Sequence, residues 1–181
     1  GADVEEVEIG WNSGVLEAWM TRWEGIFADV AGALLPRWRD EMTPFCVRLI
    51  EAGLAHSAAR FYHTNVTRGE MYRSLGPVLE RCDALITPTL AVSSLSAEHD
   101  EGGPDLVIDG RALPAYLGWA LTYPFNLMSW CPVMSVPSGF GTDDMPTAVQ
   151  IVGRTFDDPS VFRIASAIES VLNWSARRPS I

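Results

Sequence analysis

The spacing of apolar positions changes several times along this chain, and each change predicts an element. From Val15 to Leu35 the residues Leu16, Trp19, Met20, Trp23, Phe27, Val30, Ala31 and Leu34 recur three and four apart, which predicts a long amphipathic helix that Pro36 helps to stop. Thr43 followed by Pro44 is an N-cap and first-turn pair. Phe45, Cys46, Leu49 and Ile50 then share one face of a second helix running to about Gly53. A third helix is predicted from Ser57 to Arg81, carrying Phe61, Tyr62, Val66, Met71, Tyr72 and Leu75, with Gly76-Pro77 as a place for a kink. The period then shortens. Cys82 to Thr87 reads as a buried strand, as do two β-branched runs bounded by Pro or Gly, Val133 to Val136 and Ala148 to Val152. Between those two, Pro137, Gly139, Gly141 and Pro146 supply the φ restrictions and permissions of a compact loop. Val4 to Ile9 alternates as Val-Glu-Glu-Val-Glu-Ile, which predicts a short strand near a sheet edge. The Gly1-Ala2-Asp3 opening is typical of chain just past the end of a helix, so the chain is expected to start inside a larger fold.

Helix followed by apolar strand is the αβ half of an α/β unit, which sets the expected fold class. Residues 91–113 are rich in Ser, Asp and Gly and nearly aperiodic, and they read as a long surface excursion. Its tip, Glu98 to Pro104 with His99, is expected to be its most mobile part. Pro114 to Met128 resumes a helical pattern. Asp158-Pro159 starts a last helix whose predicted buried face is Val161, Phe162, Ala165, Ile168 and Leu172. The polar tail Asn173 to Ile181 is expected to fray.

Composition narrows the function. The 181 residues, 48% hydrophobic and 20% charged, suffice for one ordinary domain with a real core. With 13 basic against 23 acidic side chains the net charge is -10, which repels phosphate backbones and anionic lipid and argues against nucleic-acid and membrane partners. No apolar run approaches the length of a membrane span, and the acidic first residues are unlike a secretory signal, so a cytoplasmic protein is expected. Cys46, Cys82 and Cys131 lie far apart without metal-type spacing and are expected to be buried thiols. His56 and His63 are two helical turns apart, too far to form a metal pair, so neither a metal nor another cofactor is expected. No Gly-x-Ser-x-Gly elbow and no glycine-rich phosphate loop is present. The chain's own residues pair no nucleophile with a base.

Four pieces, one of them in three parts, nevertheless resemble one family in the right order along the chain. Pro124-Phe125-Asn126-Leu127, then Pro132 to Phe140, then Met145 to Gly153 are similar to the C-terminal hallmark of the amidase signature family. Asp83-Ala84-Leu85-Ile86-Thr87-Pro88-Thr89 resembles the strand preceding that hallmark, Phe156-Asp157-Asp158 continues it, and Gly1 to Val7 looks like the strand after the family's central helix. The resemblance implies the C-terminal part of a mixed β-sheet core covered by helices on both faces, across residues 1–181. It also implies hydrolysis or transfer of amide groups by a Ser, cis-Ser, Lys triad in a glycine- and serine-rich segment. A desolvated lysine with a lowered pKa is a competent base for a serine hydroxyl, and backbone N–H groups of such a segment hold the oxyanion. This chain has no Gly-Gly-Ser-Ser run and no lysine, every basic residue being arginine. No residue here is therefore assigned a catalytic role.

What the resemblance leaves to this chain is the wall of the acyl pocket: Phe125, Asn126, Trp130 and Cys131, with Phe45 and Cys46 on the second helix. An asparagine before a strand also serves to satisfy backbone groups, and aromatics in such loops also serve as core. Two departures stand out. The run from Leu127 to Cys131 is one residue longer than the family pattern, with Trp130 where glycine is common, and Ala148 replaces a glycine. The expected partners are an N-terminal amidase polypeptide carrying the triad and a small-molecule amide substrate, with a homodimer of the assembled enzyme as a further expectation. Two alternatives stay open: the amidase subunit of a tRNA-dependent amidotransferase, and a non-catalytic module binding through the strand edge at Val4 to Ile9.

Overall fold

A computed structural model describes residues 1–172; the predicted fraying of Asn173 to Ile181 lies outside the described residues. The chain forms two compact units, one over Gly1–Cys82 and one from Asp83 onward. Together they mix helix and small antiparallel sheets, an α/β chain as expected.

The first unit is helical. Helix α1 (Gly14–Ala31) packs against α3 (Pro44–Ala55) and α4 (Ala58–Arg81), with a short α2 (Leu35–Trp38) between α1 and α3. Thr43 caps α3 as predicted, its hydroxyl accepting from the Cys46 amide at 3.2 Å, and Ser57 caps α4 by accepting from the Arg60 amide. Pro36 does not stop α1; it sits in the first turn of α2, where a missing N–H costs nothing. α4 continues through Pro77 to Arg81. The most buried stripe of α1 is Val15, Ala18 and Thr21, not the larger residues, and Val30 and Leu34 are exposed. Near Glu24 the helices α1 and α3 approach closely. A Cβ on Gly53 of α3 would lie 2.0 Å from the Glu24 carbonyl oxygen and 2.8 Å from Ala28 Cβ, so backbone meets backbone at that crossing. Beside it His56 Nε2 sits 2.5 Å from Glu24 Oε2, both side chains largely buried. Trp19 stacks on Trp23 at 5.4 Å and Trp23 meets Phe27 at 5.2 Å, a ladder of half-buried rings along α1.

Residues 4–9 form no strand, contrary to expectation, and Val4 is 91% exposed. Alternation makes a strand only where a neighbour takes its backbone hydrogen bonds, and none does among the described residues. Glu5 instead pairs with Arg81 at 2.9 Å.

The second unit is built on a three-stranded antiparallel sheet ordered β1-β5-β4, from β1 (Leu85–Pro88), β4 (Val133–Phe140) and β5 (Pro146–Val152). The two Pro- and Gly-bounded runs are therefore strands, as expected, but longer ones: Pro137, Gly139 and Pro146, expected in the loop, lie within them, and Val133 and Ser135 are exposed rather than buried because β4 is an edge of the sheet among the described residues. The register puts Met134 opposite Ile151 and Val136 opposite Val149, on the face where Val161 and Ala165 of α6 (Asp158–Val171) complete the core. A Cβ on Gly153 would lie 2.4 Å from Val161 Cγ2, so the helix seats directly on the backbone that follows β5. α6 starts at Asp158-Pro159 as expected, and its cap is Asp157, which accepts from the Ser160 amide. Phe162, predicted to be buried, is 63% exposed, because the seat at Gly153 turns Ser160, Val161 and Ala165 inward.

The excursion over residues 91–113 carries a hairpin of its own, β2 (Leu106–Ile108) and β3 (Arg111–Leu113), turned at Asp109-Gly110 with φ of 50° and 72°. Its tip is tied down: His99 Nε2 lies 2.8 Å from the Ala115 carbonyl, which also accepts from Trp119 Nε1. The helix expected from Pro114 is confined to α5 (Tyr123–Met128); before it the chain runs in turns, with Leu90 bridging Ala120. None of the three cysteines forms a disulfide, and all are half-buried, less enclosed than expected. Among the described residues no helix is long and apolar enough to cross a membrane.

At the turn between β4 and β5, Asp143 accepts from the Ser94 hydroxyl at 2.7 Å and the Ser93 hydroxyl at 2.8 Å, fastening the chain after β1 to the hairpin. Those hydroxyls, Ser94 first, hold its carboxyl below the usual range. A depressed folded pKa means that the fastening is complete at neutral pH and is lost as the pH falls through that value. In an NMR carboxyl titration Asp143 is expected to titrate below an ordinary aspartate, and Ser94→Ala to bring it back up.

Candidate functional site

The predicted site residues of the second unit fall within one connection. Pro124 sets the first turn of α5, and Phe125, Leu127 and Met128 bury the inner side of this short helix. Ser129 ends it in the left-handed region at φ 48°, its amide bonding the Phe125 carbonyl at 2.8 Å. A non-glycine residue is held there at a cost of about 1 kcal/mol, and the chain turns sharply toward β4. Trp130 and Cys131 lie in that turn. The Pro132 carbonyl then accepts from the Gly153 amide at 2.9 Å, which starts the pairing of β4 with β5.

Phe125 is 5% exposed and faces inward, where it supports the helix. Asn126 is exposed, and Trp130 is 42% exposed. Cys131 is half-buried, with Sγ 3.9 Å from Thr155 Oγ1, and burial pushes its thiol up, outweighing that hydroxyl. A thiol so placed stays protonated at neutral pH and lines a surface rather than attacks. Phe45 and Cys46 belong to the first unit, half-buried in the first turn of α3, with the Arg48 guanidinium 5.9 Å from the Phe45 ring. The connection thus gathers Asn126, Trp130 and Cys131 as accessible groups on one short segment.

Sequence reasoning missed Gln150. It is 1% exposed on the central strand β5, and its Nε2 donates to the Pro88 carbonyl at 3.1 Å and the Leu121 carbonyl at 2.8 Å. One amide therefore joins β5, the end of β1 and the chain entering α5. The signal for it is a lone polar residue inside Ala-Val-Gln-Ile-Val. Tyr123 carries no such signal; burial raises its hydroxyl. Two of the histidines spend a ring nitrogen on structure, His56 on Glu24 and His99 on Ala115, and neither is presented to a serine.

A connection that leads from a proline-started helical turn into a Pro-Val-Met-Ser-Val-Pro strand, backed by a Gln-bearing partner strand, defines a class. Residues 16–162 match the Amidase family, and the chain belongs to the amidase signature family. It is 28% identical over 185 residues to the acylamidase of Rhodococcus erythropolis, covering 99% of this chain and 37% of that protein. It is 30% identical over 139 residues to one subunit of the glutamyl-tRNA(Gln) amidotransferase of Chloroflexus aggregans, covering 74% of this chain and 26% of that protein. Among solved structures, a bacterial aryl acylamidase of the amidase signature enzymes superposes with a TM-score of 0.84 at 25% identity, covering 99% of this chain and 40% of that one. The chain thus spans well under half the length of these relatives.

Proposed function

We propose that this chain is the C-terminal, pocket-forming part of an amidase that hydrolyses a carboxamide C–N bond, and that the Ser, cis-Ser, Lys triad lies on polypeptide outside these 181 residues, whether continuous with this chain or separate. The observation that carries it is the pairing of family membership with composition: residues 16–162 match the family, yet the 181 residues hold no lysine and no Gly-Gly-Ser-Ser run. In the proposed reaction the triad serine attacks the carbonyl carbon, and the lysine takes its proton by way of the cis-serine. The amine leaves, and water releases the acyl group. Asn126, Trp130 and Cys131 shape the acyl side of the pocket from the α5 to β4 connection, with Phe125 behind them; Phe45 and Cys46 of α3 are the candidates from the first unit. The exposed indole and the neutral thiol favour an uncharged, apolar acyl group.

A serine-reactive phosphonate applied to the active enzyme is expected to label one serine, on the polypeptide that carries the lysine, and none of the serines of this chain. Peptide mapping by mass spectrometry reads the site. Labelling within these 181 residues would overturn the assignment, as would amide hydrolysis by a preparation holding only this chain.

A further inference from the structure

Helix α5 carries two polar side chains, Tyr123 and Asn126, and neither side chain hydrogen-bonds to a described residue. Phe125, Leu127 and Met128 take the inner side of the helix, which leaves these two on its flank. They lie three residues apart, neighbours on a helix at about 5–6 Å between Cβ atoms. The Cα–Cβ bond of Asn126 tilts toward the helix N-terminus, hence toward Tyr123. The Tyr123 ring is half-buried, yet its oxygen is not sealed in the interior. A phenol held in this way normally finds a partner for its O–H. Among the described residues none supplies it. Burial raises the hydroxyl above its ordinary value, so at neutral pH the group is an uncharged donor.

We infer that Tyr123 is a substrate-binding residue whose O–H donates to an uncharged oxygen on the acyl group, an ether, hydroxyl or carbonyl oxygen beyond the reacting amide. Resting on the proposed amidase function, this narrows the substrate class from uncharged apolar acyl groups to those that carry one such acceptor. Small-molecule pockets are mainly apolar, with a few placed polar groups that fix orientation. Here Trp130 and Cys131 are the apolar part, and Tyr123 beside Asn126 supplies the placed donor. An anionic acceptor fits poorly, because no basic residue lies between Leu121 and Val133 to hold its charge. A hydroxyl that served the fold would be spent on a carbonyl or a side chain. This one is not, so its removal takes no hydrogen bond from the described residues.

The experiment uses the assembly that hydrolyses a carboxamide. Matched pairs of phenylacetamides, methoxy against ethyl at the ortho, meta or para position, have nearly equal size and differ by an ether oxygen in place of a methylene. Each is measured as a competitor of that hydrolysis, so that Ki is read whether or not the compound is turned over. In at least one pair the methoxy compound is expected to bind about fivefold more tightly than the ethyl one, the worth of one hydrogen bond between neutral groups. Tyr123→Phe is expected to abolish that preference and to leave the melting temperature where it was. If the unaltered enzyme distinguishes no pair, or if Tyr123→Phe keeps the preference, the role of Tyr123 falls and the amidase function stands. A lower melting temperature with the preference kept would place the hydroxyl in the fold instead. Phosphonate labelling within this chain overturns the amidase function and the role of Tyr123 with it.

Discussion

Gly53→Ala is expected to destabilise the helical unit by about 3 kcal/mol or more, the upper range for inserting a methyl group where no space exists. The new methyl would meet the Glu24 carbonyl oxygen at 2.0 Å and Ala28 Cβ at 2.8 Å. The first of these is helix backbone and cannot turn aside, so α3 must lift away from α1. Lifting it also parts His56 from Glu24. The contrast is Gly69→Ala in α4, where nothing lies within 4 Å of the added carbon. There the gain in helix propensity is expected to raise stability by about 0.5–1 kcal/mol. Denaturant unfolding followed by helical circular dichroism measures both. Equal shifts in the two variants would show that α1 and α3 do not meet at Gly53.

The second large effect is expected at Gln150. Gln150→Met keeps the volume but removes the amide that donates to both the Pro88 and Leu121 carbonyls, at an expected cost of about 2 kcal/mol. Gln150→Glu is expected to cost about 3 kcal/mol or more at neutral pH, since a carboxylate would then face two carbonyl oxygens inside the sheet. The two variants separate by pH. Burial and the facing carbonyls raise the folded pKa of the new carboxyl above its unfolded value, so the charge penalty is fully present above the raised pKa. It shrinks as the pH falls through that value, because the protonated acid is neutral and donates one hydrogen bond. Thermal unfolding across pH is expected to show recovery for Gln150→Glu on acidification and no matching trend for Gln150→Met. A flat Gln150→Glu profile would mean that the side chain reaches water.

Elements whose signals are local were legible. Thr43-Pro44 starts α3 because capping and ring geometry act within one turn, and β4 and β5 stand where Pro and Gly bound β-branched runs. Signals that depend on a distant partner were not. Val4 to Ile9 has the alternation of a strand but no strand beside it among the described residues, and Phe162 has helical spacing but a phase set by Val161 against Gly153. The β2–β3 hairpin was hidden by its short strands, although Asp109-Gly110, with both residues at positive φ, was readable as a turn. The candidate site was legible as a segment only. That Phe125 faces inward while Asn126 and Trp130 face out depends on the short helix and its left-handed end at Ser129, neither of which periodicity records. Gln150 lies in a family-like segment, but its two carbonyl partners come from chain 62 and 29 residues away.

Pro137 also bears on solubility. An open margin of sheet invites endless stacking of like chains, the route to fibres, and the usual remedies are charge, brevity or an interrupting ring. β4 has the ring, and Ser138 bulges beside it where the register slips before Gly139. The margin therefore offers no continuous template to a growing stack.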